Sequence, residues 1–193
     1  RGNMGKSILT INFMNPDDTG DKRVDNQKYI AEEIILDDSE NIQKEKLQRA
    51  RDQMKSGLLD MGLSELAEVV DEKDYMLVRL DAQVLFNSGS AEILEDGKKT
   101  LDMLGKSLVS IDNDIMVIGH TDTVPINTPL FPSNWELSTK RATNVVLYLV
   151  ENVGIKPERL TAAGNGEFKP IGDNRTVEGR QKNRRIELMI LKK

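Results

Sequence analysis

The chain has 193 residues and a formal net charge of −5, which suits one medium-sized domain with an extra segment and excludes two large domains. It contains no cysteine, which excludes disulfide bonds, thiolate metal sites and a cysteine nucleophile, and its one histidine, His120, excludes a multi-histidine metal site within one chain. No apolar run approaches the roughly 20 residues of a membrane-spanning helix. An acidic chain with 4% aromatic residues is also a poor candidate for broad nucleic-acid binding.

The first third of the chain differs in charge from the rest. Residues 1–75 contain 11 Lys and Arg against 17 Asp and Glu, whereas residues 76–193 contain 16 against 15. This difference predicts two parts, a linker segment over residues 1–75 and a folded domain over residues 76–193. The chain begins with Arg1 and not with Met, so we expect it to be a fragment of a longer protein.

The linker segment is predicted to be partly helical. Residues 7–13 are rich in β-formers and predict a short strand. Residues 41–56 are highly charged and predict an exposed helix that Gly57 and Gly62 interrupt, and residues 64–70 predict one or two further helical turns. Because apolar positions are few, we expect this segment to pack on the second part of the chain or on a second copy of itself.

The second part alternates between strand and helix patterns. Residues 75–86 are apolar enough for one or two strand pieces, and a turn follows at residues 87–90. Residues 112–119 contain a continuous apolar run that predicts a buried central strand. Between turn and strand, an apolar stripe at steps of three and four predicts a helix with these positions: Leu94, Gly97, Leu101, Leu104 and Leu108.

The next helix has clear signals at both ends. Ser133 and Glu136 form an S-x-x-E capping box at its beginning, and Gly154 and Pro157 mark its end. Its buried stripe consists of Ala142, Val145, Val146, Leu149 and Val150.

Two further strands complete the pattern. Residues 159–163 and 184–191 predict strands, and the glycine-rich residues 164–179 between them predict a long loop. The fold class is therefore predicted to be α+β, with a βαβαββ-type mixed sheet and helices packed on it.

The candidate site lies where the buried strand ends. Asp122 follows this strand, and Arg141 shares one face of the capped helix with Asn134, Leu137 and Ser138. A carboxylate attracts an ammonium group and a guanidinium grips a carboxylate, so the pair could hold a zwitterion such as an amino-acid α-carbon. The same spacing is equally compatible with a salt bridge that only joins strand to helix.

Other chemistries are less well supported by the residues. His120 has no second histidine or cysteine for a metal site, and Ser138 has no histidine base or nucleophile-elbow pattern. We therefore expect no catalytic residue, no metal and no cofactor, and we predict that the protein is not an enzyme. A basic cluster could be a solvated patch or an extra wall of an anion site; it comprises Arg175, Arg180, Lys182, Arg184 and Arg185.

Several ordered motifs carry a family resemblance. They are GHTD at 119–122, LSTKRATNV at 137–145, GNGEFKPIGDN at 164–174 and KNRRIEL at 182–188. Over residues 76–193 the chain resembles the OmpA-like peptidoglycan-binding domain, and LFNSGSAEIL at 85–94 fits the opening of that domain. The stretches TVPI at 123–126 and FPSNWELS at 131–138 resemble the MotB-type flagellar motor stator members of this family.

This resemblance implies a ligand and a site. In the family, the residues matching Asp122 and Arg141 hold diaminopimelate of the peptidoglycan stem peptide, which carries a zwitterionic centre. By the same resemblance the pocket is also lined by Thr121, Asn134, Leu137, Asn183 and Arg184. One departure is Thr123, where the commoner family form has Asn, and this side chain need not touch the ligand.

The resemblance also implies a role in the cell. It implies non-catalytic binding of peptidoglycan that anchors a motor stator to the cell wall, with residues 1–75 as a periplasmic linker after one transmembrane helix. The protein would then be the periplasmic or extracytoplasmic part of an inner-membrane single-pass protein, a homodimer with a MotA-type membrane partner. The alternative is an OmpA- or Pal-type structural cell-wall anchor unrelated to motility.

Overall fold

A computed structural model describes residues 23–192, with side chains over residues 41–192. The chain divides into two units, Arg1–Glu40 and Asn41–Lys193. In the first unit the described residues are helical from Arg23 onwards. The strand predicted at residues 7–13 lies outside the described residues.

The second unit contains a five-stranded sheet. Its strands are β1 (Ala67–Asp71), β2 (Tyr75–Asp81), β3 (Ile115–His120), β4 (Leu160–Gly164) and β5 (Arg185–Leu191). The helices of the chain are α1 (Arg23–Asp60), α2 (Ala82–Leu85), α3 (Glu95–Val109), α4 (Asn134–Tyr148) and α5 (Val177–Asn183). A π-turn at Leu149–Val153 extends α4, and a 3₁₀ turn at Pro157–Arg159 precedes β4. None of the described helices is long and apolar enough to cross a membrane.

The sheet is mixed, as the sequence predicts. The strand order is β1-β2-β5-β3-β4, with β3 and β4 parallel and every other pair antiparallel. Successive residues of β5 face opposite sides of the sheet. One side carries Ile186, Leu188 and Ile190 into a core with α3 and α4, while Arg185 and Glu187 lie on the other side. The α+β prediction is thereby confirmed, with helices packed on one face.

The end of α1 belongs to this core. Ala50, Met54 and Leu58 recur at steps of four, and all three are buried in the main cluster. The packed unit therefore begins at Asn41, inside the segment that the charge pattern assigns to the linker.

Gly57 has a different role from the predicted one. The helix continues through Gly57 to Asp60 and ends before Gly62, so the expected interruption at Gly57 is wrong. A Cβ at Gly57 would meet the flexible side chain of Met103 in α3, which could move aside. The buried residues on either side, Met54 and Leu58, hold this part of the helix on the core, against a cost of about 1 kcal/mol for a glycine inside a helix.

Two elements differ from the predicted secondary structure. Residues 64–70 contain no further helix but lead into β1, whose residues Ala67–Asp71 pair antiparallel with β2. The predicted loop over residues 164–179 ends in α5, which Thr176 caps by accepting a hydrogen bond from the backbone N–H of Gly179.

Helix α4 begins as the capping box predicts. The Ser133 hydroxyl accepts a hydrogen bond from the backbone N–H of Trp135 and donates one to the Glu136 carboxylate. Gly154 ends the helical segment in the left-handed conformation, with φ of 83°. Helix α4 packs across β3 and β4, where a Cβ at Gly119 would collide with the backbone oxygen of Ser138.

Candidate functional site

The end of β3 is held in place from two sides. Gly119 permits close contact with α4 at Ser138, and the backbone N–H of Thr121 donates a 2.9 Å hydrogen bond to the carbonyl of Gly166. These contacts fix the turn that carries Asp122 next to the first turns of α4. Side chains from β3 and α4 thus come together because Gly119 lets the strand and the helix pack closely.

A cavity of about 500 Å³ opens at this junction. Six of the seven predicted pocket residues line it, namely Thr121, Asp122, Asn134, Leu137, Arg141 and Arg184. The loop after β3 and the chain around α2 supply most of the remaining wall, namely Ala82, Gln83, Phe86, Ser88, Gly89, Val124, Pro125 and Ile126. A volume of this size is typical of a small-ligand pocket.

Asp122 is a buried carboxylate with an ion pair. Its Oδ2 lies 2.6 Å from Nη1 of Arg184, and its Oδ1 accepts a 3.0 Å hydrogen bond from the backbone N–H of Val124. Each carboxylate oxygen offers about two acceptor positions, so both can still accept a hydrogen bond from a ligand.

Arg141 is buried without a carboxylate partner. Its Nε donates to the carbonyl of Ser90 at 2.7 Å and its Nη2 to the carbonyl of Asn87 at 3.1 Å. The guanidinium also lies over the ring of Phe86, with Cζ 5.0 Å from the ring centre. Burial, together with the nearby positive charge of Arg184, lowers the pKa of Arg141 to about 10, against a smaller opposite effect of Asp122.

The plain salt bridge that the sequence left open is therefore not formed. Among residues 41–192, Arg141 makes no ion pair, and Asp122 pairs with Arg184 instead. The reason is local, because the turn carbonyls of Asn87 and Ser90 hold the Arg141 guanidinium on its own side of the cavity. Its Nη1 has no hydrogen-bond acceptor within the described part of the chain. That group remains able to bind an anionic ligand.

Three further predicted residues lie at the cavity with distinct contacts. The Asn134 side-chain amide donates to the carbonyls of Asp122 and Val124 at 3.3 and 3.1 Å, which ties α4 to the loop. Leu137 packs in a small apolar cluster beside the cavity. The Thr121 hydroxyl is buried and has no hydrogen-bond partner within the described residues, an arrangement that costs stability.

Asn183 does not line the cavity. Its Oδ1 accepts hydrogen bonds from the backbone N–H groups of Ile171 and Gly172, and its Nδ2 donates to Gly172 and Asn174. The side chain is fully buried and organises the loop before α5. Its effect on the site is therefore indirect, through the position of the neighbouring Arg184.

The basic cluster separates into unrelated contacts. Arg175 pairs with Asp173 on the surface, Arg180 donates to the carbonyl of Asn174, and Arg184 alone lines the cavity. The expectation of an extra anion-binding wall thus applies to Arg184 only.

Arg185 belongs to a buried charge network on the opposite face of the sheet. Its Nε donates to Oε1 of Glu187 at 2.8 Å, and Arg79 contacts the same oxygen at 3.1 Å. His120 Nε2 lies 3.2 Å from Oε2 of Glu187, close enough for an ion pair but not aligned for a hydrogen bond. Burial by itself would raise the pKa of Glu187, yet His120 and Arg185 lower it to about 2.

The sequence did not identify the wall formed by the chain around α2. Residues 87–90 were identified as a turn, but their carbonyls were not expected to hold Arg141. The one available signal was Gly89, which has a positive φ of 66°. Within residues 41–192, no group of three or more His, Cys, Asp or Glu residues is arranged to hold a metal ion.

Comparison with known proteins relates this site to a family. Residues 85–184, which are 100 of the 193 residues, match the OmpA family. Motility protein B of Bacillus subtilis is 34% identical over 148 residues, covering 76% of this chain and 57% of that protein. The chain spans about half the length of the curated relatives it matches.

Solved structures agree with this relationship. A MotB-like protein from Desulfovibrio vulgaris superposes with a TM-score of 0.70 at 28% identity, covering 80% of this chain and 99% of that one. The cell wall anchor of the type VI secretion system from Pseudomonas aeruginosa superposes with a TM-score of 0.66 at 32% identity, covering 70% and 94%. The chain belongs to the OmpA family, and within that family it resembles the MotB proteins.

Proposed function

We propose that this chain binds peptidoglycan, without catalysis, in the cavity around Asp122 and Arg141. The observation that carries the proposal is the buried guanidinium of Arg141, which has no carboxylate partner among residues 41–192. Burying a cation without an anion is costly, and a bound carboxylate would compensate that cost.

The ligand that fits best is the zwitterionic centre of diaminopimelate in the stem peptide. Its carboxylate would bind between the guanidinium groups of Arg141 and Arg184, and its ammonium group would bind the Asp122 carboxylate. A ligand with both charges would leave each of the three charged side chains with an opposite partner.

The composition of the cavity argues against hydrolysis of the glycan or of the peptide. Asp122 is the one carboxylate among the described residues that line it, and a glycosidase of the usual kind needs two. The relatives named above are motility and cell-wall anchor proteins. Binding without chemistry is the function that both observations support.

In the cell, the proposed role is to anchor a flagellar motor stator to the wall. The similarity to Motility protein B supports this role. The full-length protein would then be a periplasmic or extracytoplasmic single-pass inner-membrane protein, a homodimer with a MotA-type partner. Residues 1–75 would connect membrane and wall, with their part from Asn41 onwards packed on the domain that continues over residues 76–193.

A structural anchor unrelated to motility is the second candidate. It is supported by the likeness to the cell wall anchor of a secretion system. A chimera that joins this chain to the membrane segment of a MotB protein distinguishes the two roles. Restored swimming in a strain without its own MotB supports the stator role, and wall binding without swimming supports the second candidate.

The binding proposal is tested by pull-down with purified peptidoglycan sacculi. Arg141→Ala should abolish co-sedimentation. Arg159 is a matched control, because it also donates to backbone carbonyls, those of Leu108 and Asn113, and is partly buried, but lies outside the cavity. Arg159→Ala should bind sacculi normally per folded molecule, as judged by circular dichroism. Equal binding by the two folded variants would overturn the proposal.

A further inference from the structure

A second groove adjoins the cavity. It has a volume of about 930 Å³, and Gly89, in the turn before α3, lines both the groove and the first cavity. Apolar side chains line part of it, namely Ala91, Leu130, Phe131 and Trp135. Polar side chains line the rest, namely Ser90, Glu92, Glu136, Thr139, Lys140, Thr143 and Asn144.

An aromatic pair stands at the side of this groove. The rings of Trp135 and Phe168 stack with centroids 5.1 Å apart and an angle of 22° between their planes. The two residues are nonetheless 47% and 60% exposed, so the stacked pair presents apolar surface to solvent. Trp135 lines the groove and Phe168 does not, so Trp135 is the member of the pair on the groove side.

The backbone holds this pair firmly. The N–H of Gly166 donates to the Ser138 hydroxyl at 3.0 Å, and the N–H of Phe168 donates to the carbonyl of Asn165 at 3.2 Å. Asn134 and Glu167 precede Trp135 and Phe168 in the chain, and the Asn134 amide donates to the Glu167 carboxylate at 2.7 Å. A ligand that packs on Trp135 would therefore meet a ring that is stacked on Phe168 and whose chain segment is held in place, which reduces the entropy lost on binding.

The chemistry of the groove suits a sugar chain. A pyranose ring has an apolar C–H face that packs on an aromatic ring, and hydroxyl and acetamido groups around its edge that need donors and acceptors. Thr139, Thr143 and Lys140 supply such groups along the next turns of α4. The groove has about 930 Å³, against about 500 Å³ for the cavity around Asp122, so it has room for more than one sugar unit.

We propose that this groove binds the glycan strand of peptidoglycan, with Trp135 packed on the face of an N-acetylhexosamine ring. The inference rests on the proposed binding of the stem peptide next to it. The stem is covalently joined to the glycan, and its first three residues extend over about 10 Å. A glycan strand must therefore pass close to a cavity that holds diaminopimelate, and the groove that shares Gly89 with this cavity lies within that reach.

The test uses two soluble probes, peptide-free glycan strands and a diaminopimelate tripeptide without sugar. Trp135 is the one tryptophan of the chain, so its fluorescence reports on the groove directly. Glycan strands should shift its emission, and Trp135→Ala should lower glycan affinity at least tenfold while tripeptide affinity changes less than twofold. Trp135→Phe should keep part of the glycan affinity.

The control is Leu147→Ala, which removes an equally exposed apolar side chain of α4 outside the groove and should change neither affinity. Glycan binding that is absent or unaffected by Trp135→Ala would overturn the inference. The inference would also be overturned if Trp135→Ala no longer self-associates but still binds glycan as the parent does. That result would show that the groove around Trp135 binds a second copy of the chain. Failure of the proposed function is a separate result, namely tripeptide affinity that Arg141→Ala leaves unchanged.

Discussion

Arg184 and Asp122 are 62 residues apart in the chain and form an ion pair of 2.6 Å at the mouth of the cavity. The pair joins the end of β3 to the residue that follows α5. The Asp122 carboxylate is 8% exposed, whereas the Arg184 side chain is 41% exposed. Arg184 can therefore turn towards a ligand carboxylate at little cost, while Asp122 stays fixed.

Replacing Arg184 should affect binding more than stability. Because the arginine is partly exposed, we expect Arg184→Ala to lower the free energy of unfolding by no more than about 1 kcal/mol. Loss of one guanidinium from the carboxylate site should weaken tripeptide binding about tenfold, or about 1.4 kcal/mol. Calorimetric titration and urea unfolding measure the two effects. As a control, Arg175→Ala removes a surface ion pair with Asp173 and should change neither the stability nor the tripeptide affinity. Unchanged tripeptide affinity in Arg184→Ala would argue against a role for Arg184 in binding.

The buried Thr121 hydroxyl should lower the stability of the fold without contributing to binding. It is buried without a partner among the described residues, and such a group costs about 1–3 kcal/mol. Thr121→Val keeps the shape and removes the hydroxyl, so the free protein should be equally stable or more stable. Its affinity for the tripeptide should be unchanged, because the hydroxyl oxygen has almost no surface open to the cavity. Urea unfolding and titration test both parts, and a variant that is clearly destabilised would contradict the interpretation of this group.

The charge network around Glu187 should set part of the acid stability. The folded-state pKa of Glu187 is lowered to about 2 from an ordinary value of 4.5, so its contribution is complete above pH 4.5 and is lost as the pH falls towards 2. The contribution is about 3 kcal/mol, since each pKa unit corresponds to about 1.4 kcal/mol.

The comparison that isolates this effect is Glu187→Gln. This variant should be about 3 kcal/mol less stable than the parent at pH 7, because Arg185 remains buried without its carboxylate. The difference should shrink as the pH falls from 4.5 to 2. Denaturant unfolding at several pH values measures it, with the exposed Glu151→Gln as control. A stability difference that does not depend on pH would contradict the assigned pKa.

The glycine contact beneath the site should be essential for its geometry. Gly119→Ala would place a Cβ against the backbone oxygen of Ser138, so β3 and α4 must separate. We expect a loss of about 2–3 kcal/mol in stability together with weaker tripeptide binding. Gly154→Ala is the matched control, because it meets no neighbour and strains only the backbone at φ of 83°. Gly154→Ala should lower the free energy of unfolding by about 1–2 kcal/mol and bind the tripeptide normally. Normal tripeptide binding by Gly119→Ala would show that this glycine is not needed for the geometry of the site.

Much of the fold was predictable because its signals are local. The capping box at Ser133 and the alternation of apolar and charged residues in β5 each depend on neighbouring residues. Strand β1 was missed because five residues with two charges at an edge have a weak strand pattern, and pairing with β2 decides their structure. Gly57 does not interrupt α1 for a similar reason, since the core contacts of Met54 and Leu58 that hold the helix there are not local.

The sequence predicted most of the residues that line the site, but not which of them contact each other. Spacing and motifs brought Asp122 and Arg141 together, and both line the cavity. The partner of Asp122 is Arg184, which lies 62 residues away, and Arg141 is held by the carbonyls of Asn87 and Ser90. Sequence alone could not supply these contacts, because they depend on how β5 and the turn before α3 meet in the folded chain.

The most direct test of the central claim compares two ligands that differ by one carboxylate. Stem tripeptides ending in diaminopimelate or in lysine share the ammonium group, but only the former has the side-chain carboxylate expected at Arg141 and Arg184. Calorimetric titration of the parent chain should give at least tenfold tighter binding of the diaminopimelate peptide, and Arg141→Ala should remove this preference. Equal affinity of the parent chain for both peptides would contradict the zwitterion site.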